Sequence, residues 1–135
     1  MTNENNIKIA IIGLGYVGLP LAVEFGTQLH TLGFDTNLER IKELKLGRDS
    51  TLEVDMDLLK SASKLKYSSD ISDLSGCNIF LVTVPTPIDS ANRPNLTPLI
   101  NATKTVGAAL EPRTELGEAT SSGTTRHYFL KPVER

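Results

Sequence analysis

The sequence predicts an α/β protein of the Rossmann type, with a doubly wound parallel sheet in a single domain. Two observations lead to this fold class. Apolar, β-branched segments alternate with segments of helical periodicity along most of the chain. In addition, the first apolar segment, residues 7–12, leads directly into the glycine motif at residues 13–18, GLGYVG. A strand followed by G-x-G-x-x-G and a helix is the layout of a dinucleotide-binding βαβ unit.

Each glycine of this motif has a distinct predicted role. Gly13 permits a tight turn after the strand, and Gly15 leaves no Cβ between the backbone and a pyrophosphate. Gly18 allows the following helix to pack closely on the strand. The unpaired amides at the helix N-terminus would bind the anion. The alternative is a glycine-rich turn in an unrelated α/β protein.

An acidic residue, Asp35, ends the second predicted strand, about 20 residues after the first glycine. A carboxylate at this place can accept hydrogen bonds from the ribose hydroxyls of an adenosine. It also repels a ribose phosphate, so the predicted cofactor is NAD rather than NADP. The alternative is that Asp35 only caps the next helix.

The other elements follow from periodicity and from breaker residues. The first helix is predicted from Tyr16 to about Leu29, and the second strand covers residues 31–35. Asn37 is expected to cap a helix that runs to Leu46 and buries leucine and isoleucine side chains: Leu38, Ile41, Leu44 and, as a further candidate, Leu46. Then follow a helix at 58–65, a strand at 66–67, a helical step at 70–74, a strand at 79–84 and a helix beginning at Asn95 or Thr97.

After Pro112 the pattern decays. Residues 113–120 lie where a further parallel strand is due, but they are polar, and only Leu116 could anchor such a strand. We therefore expect a domain at 1–112, followed by a divergent or irregular tail at 113–135 that is either disordered or at the edge of the sheet.

Composition excludes several classes of partner. The net charge is −2 and the basic residues are scattered, which argues against a nucleic-acid partner. The N-terminus lacks a basic segment, and the apolar run after it is too short for a signal peptide or a membrane span. The only cysteine, Cys77, excludes an intrachain disulfide and suits a reducing cytoplasm. It begins a strand-like run and is interpreted as a buried structural thiol.

Three segments together resemble the UDP-glucose/GDP-mannose dehydrogenase family: residues 13–22 (GLGYVGLPLA), residues 33–35 with Arg40 and Ile41, and residues 82–87 (VTVPTP). The resemblance covers residues 7–112. These enzymes oxidise the C6 hydroxymethyl of a nucleotide sugar to a carboxylate with two NAD. Residues 19–22, 47–49 and 51–54 are most similar to the branch acting on UDP-N-acetylhexosamines, which supplies aminouronic acids to bacterial surface polysaccharides. A UDP-glucose or GDP-mannose 6-dehydrogenase domain is the alternative.

The resemblance implies the cofactor-binding residues. Five lie in the cofactor turn, namely Gly13, Gly15, Tyr16, Val17 and Gly18, with Asp35 at the ribose and Arg40 near the adenosine. Thr86 follows a strand at the carboxyl edge of the sheet, where its hydroxyl could meet the cofactor. Thr120 belongs to residues 118–120, which lie where the family carries Glu-Ser-Thr. For Arg40 a solvated helix residue, and for Thr86 a rigid proline turn, remain as alternatives.

The resemblance implies no catalytic residue in this chain. In the family, catalysis passes through a thiohemiacetal and a thioester on a cysteine, and that cysteine and a catalytic lysine lie in later segments. The nucleotide sugar is therefore expected to bind a longer parent protein, of which this chain is the cofactor part. The alternative is a stand-alone dinucleotide-binding module without chemistry. The sequence predicts no particular oligomeric state.

Overall fold

The computed structural model describes residues 6–109 and the backbone of residues 126–129. The strands are β1 (Lys8–Ile12), β2 (His30–Phe34), β3 (Leu65–Ser68), β4 (Ile79–Val82) and β5 (Arg126–Phe129). The α-helices are α1 (Gly18–Gly26), α2 (Leu38–Lys45), α3 (Met56–Ser61) and α4 (Thr97–Ala109), and a 3₁₀ helix spans Ile71–Gly76. None of the helices in this described part is long and apolar enough to cross a membrane.

The five strands form one parallel sheet in the order β3-β2-β1-β4-β5. In the centre, Ile11 lies opposite Gly33 of β2 and Leu81 of β4. The chain turns from one half of the sheet to the other beside β1, and a crevice forms at such a switch point outside the carboxyl ends of the strands. The predicted Rossmann-like fold class is confirmed.

Buried side chains cover both faces of the sheet, which explains the nearly unbroken apolar sequence of β1. Ile9 and Ile11 pack in one core with α1, α2 and α3. Ala10 and Ile12 point to the other face, where they pack with Phe80 and with α4. A strand whose alternate residues enter two cores cannot show polar alternation.

The helices differ in part from the prediction. The first helix spans only Gly18–Gly26, because the turn takes residues 13–17 and Gly26 packs so closely that a Cβ there would lie 2.5 Å from Leu65 Cβ. The helix expected at 58–65 begins earlier and ends at Ser61, with Asp55 accepting a hydrogen bond from Leu58 N.

Asn37 caps α2 as predicted, because its side chain accepts hydrogen bonds from the amides of residues 39 and 40. Ile41 and Leu44 are buried, whereas Leu38 and Leu46 are exposed, so the prediction of an inward orientation is wrong for these two leucines. The buried face of α2 is instead completed by Arg40, one turn before Leu44.

Within the tail expected at 113–135, residues 126–129 form β5, which pairs in parallel with β4 at the edge of the sheet, one of the two alternatives given for this tail. The domain boundary at residue 112 stays a prediction. Arg126–Phe129 reads RHYF, and aromatic residues favour strands. The polar residues 113–120, where the alternation of elements predicts a further parallel strand, lie outside the described residues.

Candidate functional site

A cavity of about 600 Å³ opens at the carboxyl edge of the sheet, at the switch point beside β1. Its walls come from five parts of the chain: the end of β1 with the glycine turn, the segment from Phe34 to Arg40, Thr51 in the loop after α2, residues 84–85 after β4, and α4 with the preceding Asn95. Three polar side chains of α4 contribute to it, namely Thr97, Asn101 and Thr105. Their place in the cavity was not predicted, because residue spacing within α4 does not show which turns of the helix reach the crevice.

The glycine turn has the geometry that the motif predicts. Gly13 has φ +98°, a conformation that favours glycine, and its amide donates to Phe34 O at 2.8 Å. A Cβ on Gly15 would meet no atom within 4 Å and would project into open space. A Cβ on Gly18 would lie 1.8 Å from Gly13 O, so only glycine allows α1 to begin this close to the turn.

The start of α1 is open to a ligand. The first residue that donates along the helix is Leu19, whose amide bonds Gly15 O at 3.0 Å. The N-cap residue Val17 offers no side-chain acceptor to the amides that precede this ladder. A phosphate can take the place of the missing cap, as at other helix N-termini.

A buried threonine that the sequence analysis missed supports the turn. Thr83 follows β4, and its hydroxyl lies 2.7 Å from Gly13 O and 3.2 Å from Ile12 O. The hydroxyl therefore joins the end of β4 to the end of β1. Its signal in the sequence is a polar residue within the otherwise apolar run at 79–84.

Asp35 lines the cavity, and its carboxylate accepts hydrogen bonds from two backbone amides. Its Oδ2 accepts from Leu14 N at 2.9 Å, and its Oδ1 accepts from Asn37 N at 2.9 Å. The alternative that Asp35 only caps the next helix is wrong, because Asn37 caps α2 and Asp35 bonds the glycine turn as well. Each carboxylate oxygen has a second lone pair, so the carboxylate can still accept hydrogen bonds from ribose hydroxyls.

Arg40 is buried, which makes the alternative of a solvated helix residue wrong. Its Nε donates to Leu14 O at 2.9 Å, and its Nη1 donates to Glu43 Oε1 and, at 2.7 Å, to Asp49 Oδ1. Because Asp35 holds the amide of Leu14 and Arg40 holds its carbonyl, both peptide groups of the residue between Gly13 and Gly15 are fixed.

Asp49 organises the loop between α2 and α3. Its side chain has no exposed surface, and it accepts from the amides of Thr51, Glu53 and Val54 as well as from Arg40. The hydroxyl of Thr51 adds a further bond at 2.6 Å. This structural role of Asp49 was not predicted from the sequence, where residues 47–49 indicated only a family branch.

These contacts keep the cluster charged. Burial opposes ionisation of Asp49, but the hydrogen bonds from Thr51, Arg40 and Val54 outweigh it and lower its pKa to about 2. Burial likewise disfavours the charged form of Arg40, yet its bonds to Glu43 and Asp49 raise its pKa above the ordinary value. The hydrogen bond from Arg40 lowers the pKa of Glu43.

We predict that Asp49 makes stability depend on pH. Its pKa is lower in the folded chain than the usual 3.8, so its contribution is complete above pH 3.8 and disappears as the pH falls through about 2. A shift of this size corresponds to about 2 kcal/mol. Urea unfolding of the wild type and of Asp49→Asn should therefore show a stability gap that narrows by that amount from pH 7 to pH 2. A gap that stays constant over this range contradicts the prediction.

The predicted cofactor residues divide into three groups. Gly13, Gly15, Asp35 and Arg40 line the cavity. Four others, Tyr16, Val17, Gly18 and Thr86, are adjacent in sequence to lining residues or close to them without being part of the wall. Thr120 lies outside the described residues.

Cys77 lies away from the cavity, as predicted for a structural thiol. It precedes β4 and so stands at the amino edge of the sheet, whereas the glycine turn is at the carboxyl edge. Burial raises the pKa of its thiol to about 11, which leaves little thiolate at neutral pH.

The parallel sheet, the glycine turn and the acid after β2 together define the class of a dinucleotide-binding domain. The residues present fit NAD, because the space above Gly15 is open and Asp35 faces the same cavity.

The chain belongs to the UDP-glucose/GDP-mannose dehydrogenase family, whose NAD-binding-domain model matches residues 7–131. It is 55% identical over 106 residues to a UDP-N-acetyl-D-glucosamine 6-dehydrogenase of Pseudomonas aeruginosa, covering 78% of this chain and 25% of that protein. It is 54% identical over 110 residues to the enzyme of the same name from Salmonella typhi, covering 82% and 26%. The chain thus spans about a quarter of the relatives it matches.

Solved structures agree with this assignment. The UDP-D-ManNAc dehydrogenase of Pyrococcus horikoshii matches with a TM-score of 0.70 and 34% identity, over 78% of this chain and 26% of that one. A GDP-mannose dehydrogenase of Pseudomonas aeruginosa, solved as a ternary complex, matches with a TM-score of 0.77 and 20% identity, over 93% and 28%, and supports the fold alone. The predicted family, its resemblance to the UDP-N-acetylhexosamine branch and the NAD cofactor are confirmed.

Proposed function

We propose that this chain is the NAD-binding part of a nucleotide-sugar 6-dehydrogenase that oxidises the C6 hydroxymethyl of a UDP-N-acetylhexosamine to a carboxylate for surface polysaccharide synthesis. The observation that carries the proposal is the cavity in which the glycine turn and Asp35 face each other. The identity of 55% to a UDP-N-acetyl-D-glucosamine 6-dehydrogenase supports the choice of sugar.

Within this proposal each part of the cavity has a task. The amides at the start of α1 and the bare backbone at Gly15 hold the pyrophosphate. The Asp35 carboxylate accepts hydrogen bonds from the adenosine ribose, and Arg40 fixes the turn from behind while lying near the adenosine. Tyr16, Val17 and Gly18 shape the helix start, and Thr86 and Thr120 complete the proposed cofactor contacts.

Bound NAD supplies the hydride acceptor. Oxidation also needs a base for the alcohol and a nucleophile for the aldehyde, each within hydrogen-bond reach of C6. Among the described residues that line the cavity there is no cysteine, lysine or histidine. We propose that the parent protein supplies these groups and most of the nucleotide-sugar pocket. A cytoplasmic location stays a prediction, supported by the single cysteine.

We predict that Asp35→Ala weakens NAD binding by about 1.5 to 3 kcal/mol, the cost of losing hydrogen bonds to a charged group. Titration calorimetry measures the affinity. Asp89→Ala is the matched control, since Asp89 also accepts two backbone amides, at 2.9 Å each, but lies in an exposed loop that does not line the cavity. The ribose assignment fails if both variants bind NAD like the wild type.

We predict that the 135-residue chain binds NAD but does not oxidise UDP-N-acetylglucosamine, UDP-N-acetylgalactosamine or UDP-glucose, whereas the parent protein oxidises one of them. NADH absorbance with each sugar nucleotide measures turnover. Cys77→Ser is the control, because Cys77 lies at the opposite edge of the sheet. If the 135-residue chain shows steady turnover and Cys77→Ser abolishes it, then the catalytic groups are not confined to the rest of the parent protein, and Cys77 is not a structural thiol.

A further inference from the structure

An arginine in the wall of the cavity affects the choice between NAD and NADP. Arginine is the side chain that accommodates the 2′-phosphate of NADP in dinucleotide-binding folds. Among the described residues, the charged side chains that line this cavity are Asp35 and Arg40. Their formal charges cancel, so Arg40 on its own would offset the repulsion that Asp35 exerts on a phosphate dianion.

The net charge around the cavity becomes negative when the side chains behind Arg40 are included. Glu43 and Asp49 both form ion pairs with its Nη1, and neither lines the cavity. The side chain of Asp49 is completely buried, and that of Glu43 is 24% exposed. Arg40 therefore belongs to a cluster with a formal charge of −1, and together with Asp35 the region carries −2. Partly buried charges of this kind are screened less than exposed ones.

The hydrogen bonds of Arg40 also disfavour binding of a 2′-phosphate. Its guanidinium has five N–H groups, and a bidentate contact to a phosphate takes two parallel ones. Nε bonds Leu14 O, Nη1 bonds Glu43 and Asp49, and Nη2 lies 3.4 Å from Thr51 Oγ1. With these contacts in place, four of the five groups are engaged, so a phosphate gains a bidentate contact only by displacing one of them.

We propose that Glu43 and Asp49 determine the cofactor specificity of this site, because they hold Arg40 in a net-negative cluster and so exclude the 2′-phosphate of NADP. They act through Arg40 and are positioning residues that do not touch the cofactor. The inference rests on the proposed function, and it makes selectivity depend on residues outside the cavity wall as well as on Asp35.

The ratio of the dissociation constants of NADP and NAD tests this inference. Glu43→Gln removes one negative charge but keeps an oxygen that can accept from Arg40 Nη1 and from the Ser50 hydroxyl. Glu39→Gln is the matched control, since Glu39 lies on the same helix, is 82% exposed and pairs with Lys42 instead. The ratio is a suitable readout because general damage to the site weakens both cofactors.

We expect Glu43→Gln to lower the NADP-to-NAD ratio about fivefold, equivalent to ~1 kcal/mol, while Glu39→Gln leaves it unchanged. Asp49→Asn, a second variant for the same cluster, should lower the ratio as well. If Glu43→Gln and Asp49→Asn are folded and leave the ratio unchanged, the inference is wrong, although the proposed NAD binding still stands. An equal shift of the ratio in Glu39→Gln has the same meaning. Absence of NAD binding to the wild-type chain overturns the proposed function and this inference together.

Discussion

Gly15→Val should abolish NAD binding while leaving the chain folded. The added Cβ meets no atom of the described chain within 4 Å, so the fold accommodates it, but it projects into the cavity over the start of α1. There it takes the space in which a pyrophosphate must approach the backbone. We expect a loss of at least about 100-fold in affinity, or ~2.8 kcal/mol, by titration calorimetry.

The control for this variant is Gly107→Val. Gly107 lies on α4, where an added Cβ also meets open space, but it does not line the cavity. Both variants should melt cooperatively, and only Gly15→Val should lose NAD. If Gly15→Val binds NAD with wild-type affinity, the pyrophosphate does not bind at this turn, and the site loses its main geometric support.

Gly18→Ala should lower the free energy of unfolding strongly, by about 3 kcal/mol or more, whereas Gly15→Val leaves the fold stable. Its Cβ would lie 1.8 Å from Gly13 O and 2.3 Å from Thr83 Oγ1, and a backbone oxygen cannot move aside without opening the turn. Overpacking of a well-packed site typically costs about 1–3 kcal/mol. We expect a cost at or above the upper end of this range, because the added methyl group meets backbone atoms. Urea unfolding at neutral pH measures the loss.

Gly15→Ala is the matched control for Gly18→Ala, because the same methyl group is added three residues earlier into open space. We expect its free energy of unfolding to change by less than about 1 kcal/mol. Equal stability of the two alanine variants would show that α1 does not pack against the turn as described.

The sequence was most informative where one physical requirement determines the residue type. The glycines at 13, 15 and 18 each meet a separate steric demand, and the structure gives each the expected surroundings. The apolar runs at 7–12 and 79–84 predicted the central strands, because a strand covered on both faces must be apolar throughout. The position of Asp35 followed from the spacing of the same unit.

The parts that the sequence did not reveal depend on tertiary contacts. Arg40 occupies a helical position typical of a solvated residue, and only its packing against Leu14 and Asp49 buries it. Leu38 has the composition of a core residue but lies off the face that α2 buries. β5 pairs with β4 after a segment of low apolar content, which gives no periodicity from which to place the strand.

Calorimetric titration of the 135-residue chain with NAD and, separately, with NADP shows whether the cavity beside β1 binds a dinucleotide whose adenosine ribose meets the Asp35 carboxylate. We predict saturable binding of one NAD per chain and a markedly lower affinity for NADP. No binding of NAD, or equal affinity for the two cofactors, would contradict this prediction.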